Sequence, residues 1–436
     1  MPARSLAEKL KSLGVKIGAS DLLPAQPKPK MGVPIEEVMD GRWIATRRGE
    51  AFVFEQTFPA DYRHGNAPLC PPEGHSLSPA PPLPRSSASL PPRSPAPLHT
   101  LAQWANDSRL ADLPLEAFAF LDAETSGLSG GTGTYAFLVG VGRCEAGTFH
   151  LAQFFMRDPS EEPALLEALA DYLAPAQALV TYNGKAFDVP LLVTRYSLHS
   201  IPIPFKDYSH IDLLPLARRL WRDRLPSRSL KYIEENVLGA PRTSQEVPGY
   251  EIPYLYFDYL RTGDARPLAS VFYHNAMDVV ALAALLNHVS HMLAEPLHES
   301  IEHGLDRIAL AKLFEDLGKW DEAARLYERG LEQQLPEADF WQAVQRLSIL
   351  QRRRGDLSEA VRLWEQAAAE GHIYAHVELA KHYEHRVRDY ATAHQWTQKA
   401  MELARDSSLP VYMQKHWLEE LSHRQRRLEG KVIGKS

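Results

Sequence analysis

The sequence predicts an α/β domain followed by an all-α repeat domain. Three observations predict it. Between about residues 115 and 290, short apolar runs of strand length alternate with segments of helical period. Beyond about residue 305 only helical periods remain, and one pattern recurs there at a spacing in the mid-thirties. The α/β part opens with three strands before helix and strand begin to alternate, which indicates a mixed sheet covered by helices.

Each segment has its own warrant. In residues 1–66, Leu6, Leu10 and Leu13 have helical spacing and Ala51 to Phe54 reads as a short strand; the fold of this segment is otherwise undetermined by its pattern. Residues 67–100 change character, with Pro71-Pro72, Pro81-Pro82 and Pro91-Pro92 set among Ser, Ala and Arg. Each proline removes a backbone donor and the stretch has little to bury, so a disordered or polyproline linker is expected, with an SH3-type ligand as the alternative use. Residues 101–298 carry the α/β pattern. Ala117 to Asp122 is a buried strand, and Tyr135 to Val141 and Thr148 to Phe155 are two more, joined by a turn at Ala146-Gly147. Glu161 to Leu173 opens with acids and a proline, as helices do. A strand at Ala178 to Tyr182 and a helix from Phe187 to Tyr196 follow. Then come a strand at Ser209 to Leu213, a helix around Leu216, a helix from Ser229 closed by Gly239, and a long helix from Pro267 to Leu293.

Residues 299–436 repeat. The stretch from Leu310 aligns with the stretch from Leu347, pairing Gly318 with Gly355, Ala323 with Ala360, and Tyr327 with Trp364. A weaker third copy from Leu379 keeps Tyr390 and Ala393 but has Arg388 where the others have glycine. A glycine turn, a small alanine and an aromatic at this period resemble tetratricopeptide repeats, whose helix pairs stack on one another and present surfaces to protein partners.

Composition narrows the function. The chain has 436 residues, a net charge of -7, and only Cys70 and Cys144 as cysteines. A nucleic-acid binder acting through overall positive charge is disfavoured, although a local groove is not. Two cysteines make no disulfide framework, zinc ribbon or CxxC pair. With no apolar leader and no run of about 18 apolar residues, a cytoplasmic protein without a membrane segment is expected.

The chemistry lies in acids. Asp122 and Glu124 close the first strand of the α/β part and point to one side of the sheet, because strand side chains alternate. Asp188 sits where a turn becomes a helix, a place that also suits an ordinary helix-terminal acid. Asp278 falls on the inward stripe of the last long helix, between Val271 and Leu282. An acid there needs a partner, and the plain one is a buried Arg or Lys. Taken together, the Asp-x-Glu strand end, the Asn183-x-x-x-Phe187-Asp188 segment and the late inward Asp resemble the DEDD exonucleases of the ribonuclease H-like fold. His210 to Leu213, Leu216-Ala217-Arg218 and Ser229-Leu230-Lys231 resemble the family's intervening segment. With the repeats, the whole resembles the bacterial YprB-type ribonuclease H-like proteins. The resemblance covers about residues 115–290. It implies that Asp122, Glu124, Asp188 and Asp278 bind two Mg²⁺ or Mn²⁺ ions and hydrolyse DNA or RNA from a single-stranded 3′ end. Hard cations select oxygen ligands, so the acids suit that role independently of the family.

The general base departs from the family. One branch places Tyr four residues before the last Asp and the other places His five before; here Tyr273 is five before and His274 four. On a helix, His274 lies about 40° from Asp278 and Tyr273 about 140° away, which favours His274. Its unperturbed pKa also suits accepting a proton near neutral pH, with a rate limb expected through roughly 6–7. The alternative is a catalytically weak or inactive nucleic-acid-binding scaffold that recruits partners through its repeats. Other signals carry less. Gly127, Gly130, Gly131 and Gly133 lead into a strand rather than a helix, so no dinucleotide fingerprint forms. Asp212 reads as a helix cap and Asn183 as a turn residue. His376, Glu378 and His382 do not make HExxH, and the basic runs at Arg352 to Arg354 and His423 to Arg427 read as solvated faces. Phe154, Phe155 and Tyr250 are weak candidates for base stacking.

Overall fold

The computed structural model describes residues 32–70, 98–127, 133–405 and 409–433. The leucine-spaced start, the proline-rich stretch beyond Cys70, and Gly130 and Gly131 lie outside the described residues. Among the described residues the strands are β1 (Arg42–Thr46), β2 (Gly49–Phe58), β3 (Arg63–His64), β4 (Ala67–Pro68), β5 (Phe118–Thr125), β6 (Ala136–Glu145), β7 (Thr148–Phe155), β8 (Ala178–Thr181) and β9 (Ser209–Asp212). Seven of them form one mixed sheet in the order β1-β2-β7-β6-β5-β8-β9. The pairings β5–β8 and β8–β9 are parallel and the others antiparallel. Ala146 (φ 48) and Gly147 (φ 79) turn β6 into β7 with two left-handed residues, the conformation a tight hairpin requires.

Both faces of the sheet are covered, which is why β5 begins as an unbroken apolar run. Phe118 and Phe120 face one core, with Val180 and Ile211; Ala119 and Leu121 face the other, with Phe137 and Val139. The helices are α1 (Ile35–Val38), α2 (His99–Ala105), α3 (Glu162–Leu173), α4 (Asp188–Leu198), α5 (Leu213–Trp221), α6 (Leu230–Ile233), α7 (Ile252–Thr262) and α8 (Leu268–Ala294). Gly239 (φ 69) ends the wide turn that extends α6. α8 is long and apolar enough to cross a membrane, with a mean hydropathy of 1.4 over its best window, but 67% of that window is buried in the fold. It is the core helix that both faces share, since Val271 and Phe272 belong to one core and Val279 to Leu286 to the other.

Sequence pattern missed three features. β1 and the full length of β2 extend the sheet beyond β7, where only a short strand was expected. α7 was not expected, because its buried face is aromatic and polar-tipped (Tyr256, Tyr259) rather than aliphatic. Cys70 and Cys144 are bonded to each other, with Cα atoms 5.9 Å apart across 74 residues of sequence. Two cysteines make no framework, but the β3–β4 hairpin carries Cys70 to the end of β6, a proximity that spacing cannot reveal.

Among the described residues seven helices follow: α9 (Gly304–Asp316), α10 (Trp320–Leu331), α11 (Glu337–Arg354), α12 (Leu357–Ala369), α13 (Ile373–His382), α14 (Tyr390–Ala404) and α15 (Val411–Ile433). Ala323, Ala360 and Ala393 are fully buried where helices cross closely. Gly318 (φ 74) and Gly355 (φ 89) make the left-handed turns that the repeat requires, and Arg388 (φ 63) adopts the same conformation without being glycine. The repeats are docked on the α/β domain. Leu310, Leu313 and Phe314 of α9 share one core with Trp221 of α5. Arg224 pairs with Asp306 at 2.8 Å, Lys312 with Asp223 at 3.1 Å, and Arg219 with Asp316.

Candidate active and metal site

Asp122 and Glu124 continue the face of β5 that carries Phe118 and Phe120, so they meet α8 just where the strand leaves the core. A register shift at Glu124/Thr125 bends the strand end there. Asp188 is the first residue of α4, and the turn before it is held from below. Asp212 accepts the Asn183 N–H at 2.7 Å and the Lys185 N–H at 3.2 Å, and also caps α5 through the Leu214 N–H at 3.1 Å. Asn183 takes the left-handed φ of 67 this turn needs. Gly184 is required because a Cβ there would lie 2.5 Å from Thr181. Asn183 thus sits in the turn and Asp212 caps the helix, as the sequence suggests, and Asp212 in addition holds the turn that leads into Asp188.

α8 supplies the rest. His274 Nε2 lies 3.4 Å from Asp278 and 3.9 Å from Glu124. Ligand atoms of Glu124, His274 and Asp278 all fall within 4.8 Å of one another, the reach of one or two cations. Tyr273 points elsewhere, its hydroxyl accepting the Thr243 N–H at 3.0 Å. Asp122 is fixed by Asn275, whose Nδ2 donates to Oδ2 at 2.9 Å and to the backbone oxygen at 3.2 Å. Asn275 in turn accepts from Gln153 at 2.9 Å. Gly140 makes room for this relay, since a Cβ would sit 2.2 Å from Asn275 Oδ1.

The electrostatics follow from burial and crowding. Burial, then the charges of Asp278, Glu124 and Asp188, push Asp122 well above the usual carboxylate range. Burial raises Glu124 to about 8, with Asp278 and Asp188 adding and His274 opposing. Burial raises Asp188 to about 7, reinforced by Asp212 and Asp278. Burial and neighbouring carboxylates thus raise Asp122, Glu124 and Asp188 in the same direction. Two internal cations soften this. Arg242, 2% exposed, pairs with Asp278, with Glu234 at 2.6 Å and with Glu246 at 3.0 Å. The buried Arg that the plain reading of Asp278 calls for is present. His274 Nδ1 lies 3.0 Å from Glu246. Burial opposes the His274 charge, but the Glu246 hydrogen bond and the charges of Asp278 and Glu124 outweigh it and raise the imidazole to about 9. The ordinary histidine value behind the expected rate limb at 6–7 does not hold in this environment, where the ring carries a proton at neutral pH.

Arg242, Glu246, Asn275 and Gln153 were not read from the sequence. Asn275 was the most accessible of them: it lies three residues before Asp278 on the same buried stripe. Arg242 and Glu246 come from the loop after Gly239, where no period exists to place them. The donor set fits hard divalent cations: carboxylate oxygens dominate, one imidazole stands beside them, and negative charge exceeds the internal cations.

Comparison with known proteins agrees with the fold. Residues 119–290 match the RNase_H superfamily and residues 307–339 match a tetratricopeptide repeat. The chain is 34% identical over 287 residues to the uncharacterized protein YprB of Bacillus subtilis (strain 168), covering 65% of this chain and 68% of that protein. A solved family B DNA polymerase from the hyperthermophilic archaeon Pyrobaculum calidifontis aligns at 14% identity with a TM-score of 0.31, over 46% of this chain and 29% of the polymerase chain. From the sheet with its acidic edge, the repeats docked behind it and the extent of the match to the Bacillus protein, the chain belongs to the YprB-type family of RNase H-like proteins with C-terminal tetratricopeptide-like repeats.

Proposed function

We propose that the protein is a metal-dependent 3′→5′ exonuclease acting on single-stranded DNA or RNA ends. The observation that supports this reading most is that Glu124 from a strand end and His274 and Asp278 from a buried helix bring ligand atoms within 4.8 Å of one another, with Asp122 tied to the same helix through Asn275 and burial and neighbouring acids raising Asp122, Glu124 and Asp188. Such crowding is unfavourable without external positive charge. Bound Mg²⁺ or Mn²⁺ would supply an activated water and stabilise the leaving oxygen. The chain's own groups do the rest. Asn275 holds the Asp122 carboxylate in one orientation, Asp212 holds the turn that aims Asp188, and Glu246 holds the His274 ring so that Nε2 faces Glu124 and Asp278. Neutralising the carboxylates would lower the His274 value from about 9 and let the ring accept a proton from water. The repeats are assigned to a protein partner.

One observation favours the scaffold alternative: Arg242 already neutralises Asp278 from inside the fold. The experiment that separates the readings is incubation of end-labelled single-stranded DNA and RNA with Mn²⁺, wild type against Asp188→Ala. Stepwise shortening from the 3′ end by wild type alone supports the exonuclease. Retained binding with no cleavage by wild type supports the scaffold.

A further inference from the structure

We propose that the C-terminal end of α8 carries a second metal site, in which His291, Glu295 and His298 take one Zn²⁺ ion or a similar nitrogen-seeking divalent cation. His291 and Glu295 are four residues apart on the helix and so share a face. Pro296 cannot continue the helix, and Glu295 leaves it at a φ of -123 and a ψ of 64. The chain then turns back, with the His298 N–H donating to the Glu295 carbonyl at 3.0 Å. That turn brings the His298 ring edge to face with His291, 5.3 Å between centroids. One ligand atom from each of the three side chains lies within 4.8 Å of the other two. Those distances do not describe an ion pair. Among the described residues the Glu295 carboxylate makes no hydrogen bond or ion pair, with these histidines or with any Arg or Lys. The acid and the two imidazoles surround a point without touching. Three atoms 4.8 Å apart have a centre about 2.8 Å from each, so closing by about 0.7 Å gives the bonds of about 2.0–2.2 Å that Zn²⁺ makes to nitrogen and carboxylate oxygen.

The setting suits a cation. The last turn of a helix has carbonyl oxygens without helical partners, and the macrodipole puts negative charge at that end. Ser300 holds the His298 ring, with its Oγ 2.9 Å and its backbone N 3.2 Å from Nδ1. A metal on Nε2 leaves Nδ1 to carry the hydrogen and donate it to Ser300 Oγ, the outer hydrogen bond that a ligating imidazole needs. His298 is exposed while His291 and Glu295 are half-buried, so an ion can enter from solvent and water can complete a tetrahedron. The donors also separate this site from the acidic one. Imidazole suits Zn²⁺, whereas Mg²⁺ and Mn²⁺ prefer oxygen, and Mn²⁺ stands at the weak end of the divalent series. Glu295 and His298 begin the path from α8 to α9, along which Ile301 is buried in the shared core. A bound ion therefore ties the chain leading into the repeats to the end of α8.

Calorimetric titration of Zn²⁺ into the untagged full chain tests this, at neutral pH, in excess Mg²⁺, and without reductant so that Cys70 and Cys144 stay bonded. Zn²⁺ can also enter the acidic site, so the same titration is run on the double variant Asp122→Asn, Asp278→Asn. The proposal expects one Zn²⁺ per chain to survive in that variant. In either background His298→Ala, at an exposed position, should weaken this ion about tenfold or more and cancel the rise in Tm that it gives, since only the folded chain gathers the three ligands. Glu295→Gln, which keeps the shape and loses the charge, should weaken it as well. Mn²⁺ at the same concentration should not displace it. The proposal is overturned if every bound Zn²⁺ is lost in the double variant, or if His298→Ala and Glu295→Gln bind Zn²⁺ as their parent does. Neither result bears on the nuclease reading, which uses none of these three residues.

Discussion

Two buried carboxylate sites in this protein have opposite electrostatics. In the repeats, Glu384 is fully buried and accepts hydrogen bonds from Arg424 at 2.8 Å, Arg427 at 2.7 Å and Lys431 at 3.0 Å. Burial alone would raise its pKa, but these cations draw it down to about 2. In the α/β domain, Asp122, Glu124 and Asp188 are crowded chiefly with other acids, and burial and mutual repulsion raise all three. The first site is complete within the fold and fastens α15 to the turn after α13. The second is left short of positive charge. The contrast is between a carboxylate balanced by cations inside the fold and carboxylates raised by burial and by one another.

The largest expected effect tests the acidic side of that contrast. Asp122→Ala and Asp278→Ala should lower metal-dependent turnover by orders of magnitude while circular dichroism stays that of a folded protein. Rates equal to wild type would remove those residues from the site. Next in size, Glu384→Ala should destabilise the chain by about 3 kcal/mol in urea unfolding, because it strands the cations gathered round it, with no change in cleavage of a short substrate. Its folded pKa is depressed, so its stabilisation is present above the unfolded carboxylate value and is lost as pH falls toward about 2.

The site acids have the reverse sign. Their folded values are raised, so they cost nothing below the unfolded carboxylate range and cost progressively more as pH rises toward about 7 for Asp188 and about 8 for Glu124. His274 partly compensates, stabilising the fold until pH passes about 9. Mn²⁺ at one fixed concentration, a hundredfold above its Kd at pH 8, should therefore stabilise by about 2–3 kcal/mol at pH 8 and raise Tm less at pH 5, where protonated carboxylates raise Kd. An equal shift at both pH values would mean that the ion binds elsewhere. The smallest effect concerns Arg388, held at a φ of 63 where the other repeats have glycine. Arg388→Gly should stabilise by about 1 kcal/mol in thermal unfolding, and a loss instead would show that the Arg388 side chain contributes more than its backbone costs.

How much of this was legible in the sequence follows from what periodicity can see. The strands and helices around the acids were readable because both sheet faces are buried, leaving apolar runs with clear ends. Asp122, Glu124, Asp188, His274 and Asp278 were readable because polar residues interrupt those runs. Arg242 and Glu246 were not, since a loop's route carries no period, and with them went the raised value of His274. The Cys70–Cys144 bond and the pairing of β2 with β7, which brings the β1–β2 hairpin onto the sheet, join segments distant in sequence. The docking of α9 on α5 was equally hidden. It makes removal of the repeats near residue 300 a poor test of their role, because Leu310, Leu313 and Trp221 share one core.

The central claim is that the four acids hold divalent cations, and direct binding tests it without requiring a substrate. Mn²⁺ titrated into the full chain at pH 8, followed by calorimetry and by the electron paramagnetic resonance signal of free Mn²⁺, should show two bound ions per chain. Asp122→Asn and Asp278→Asn should each lose at least one of them, while Glu384→Gln keeps both. If wild type binds no Mn²⁺, or if the Asp variants bind it as wild type does, the acidic cluster is not a metal site and the account fails at its centre.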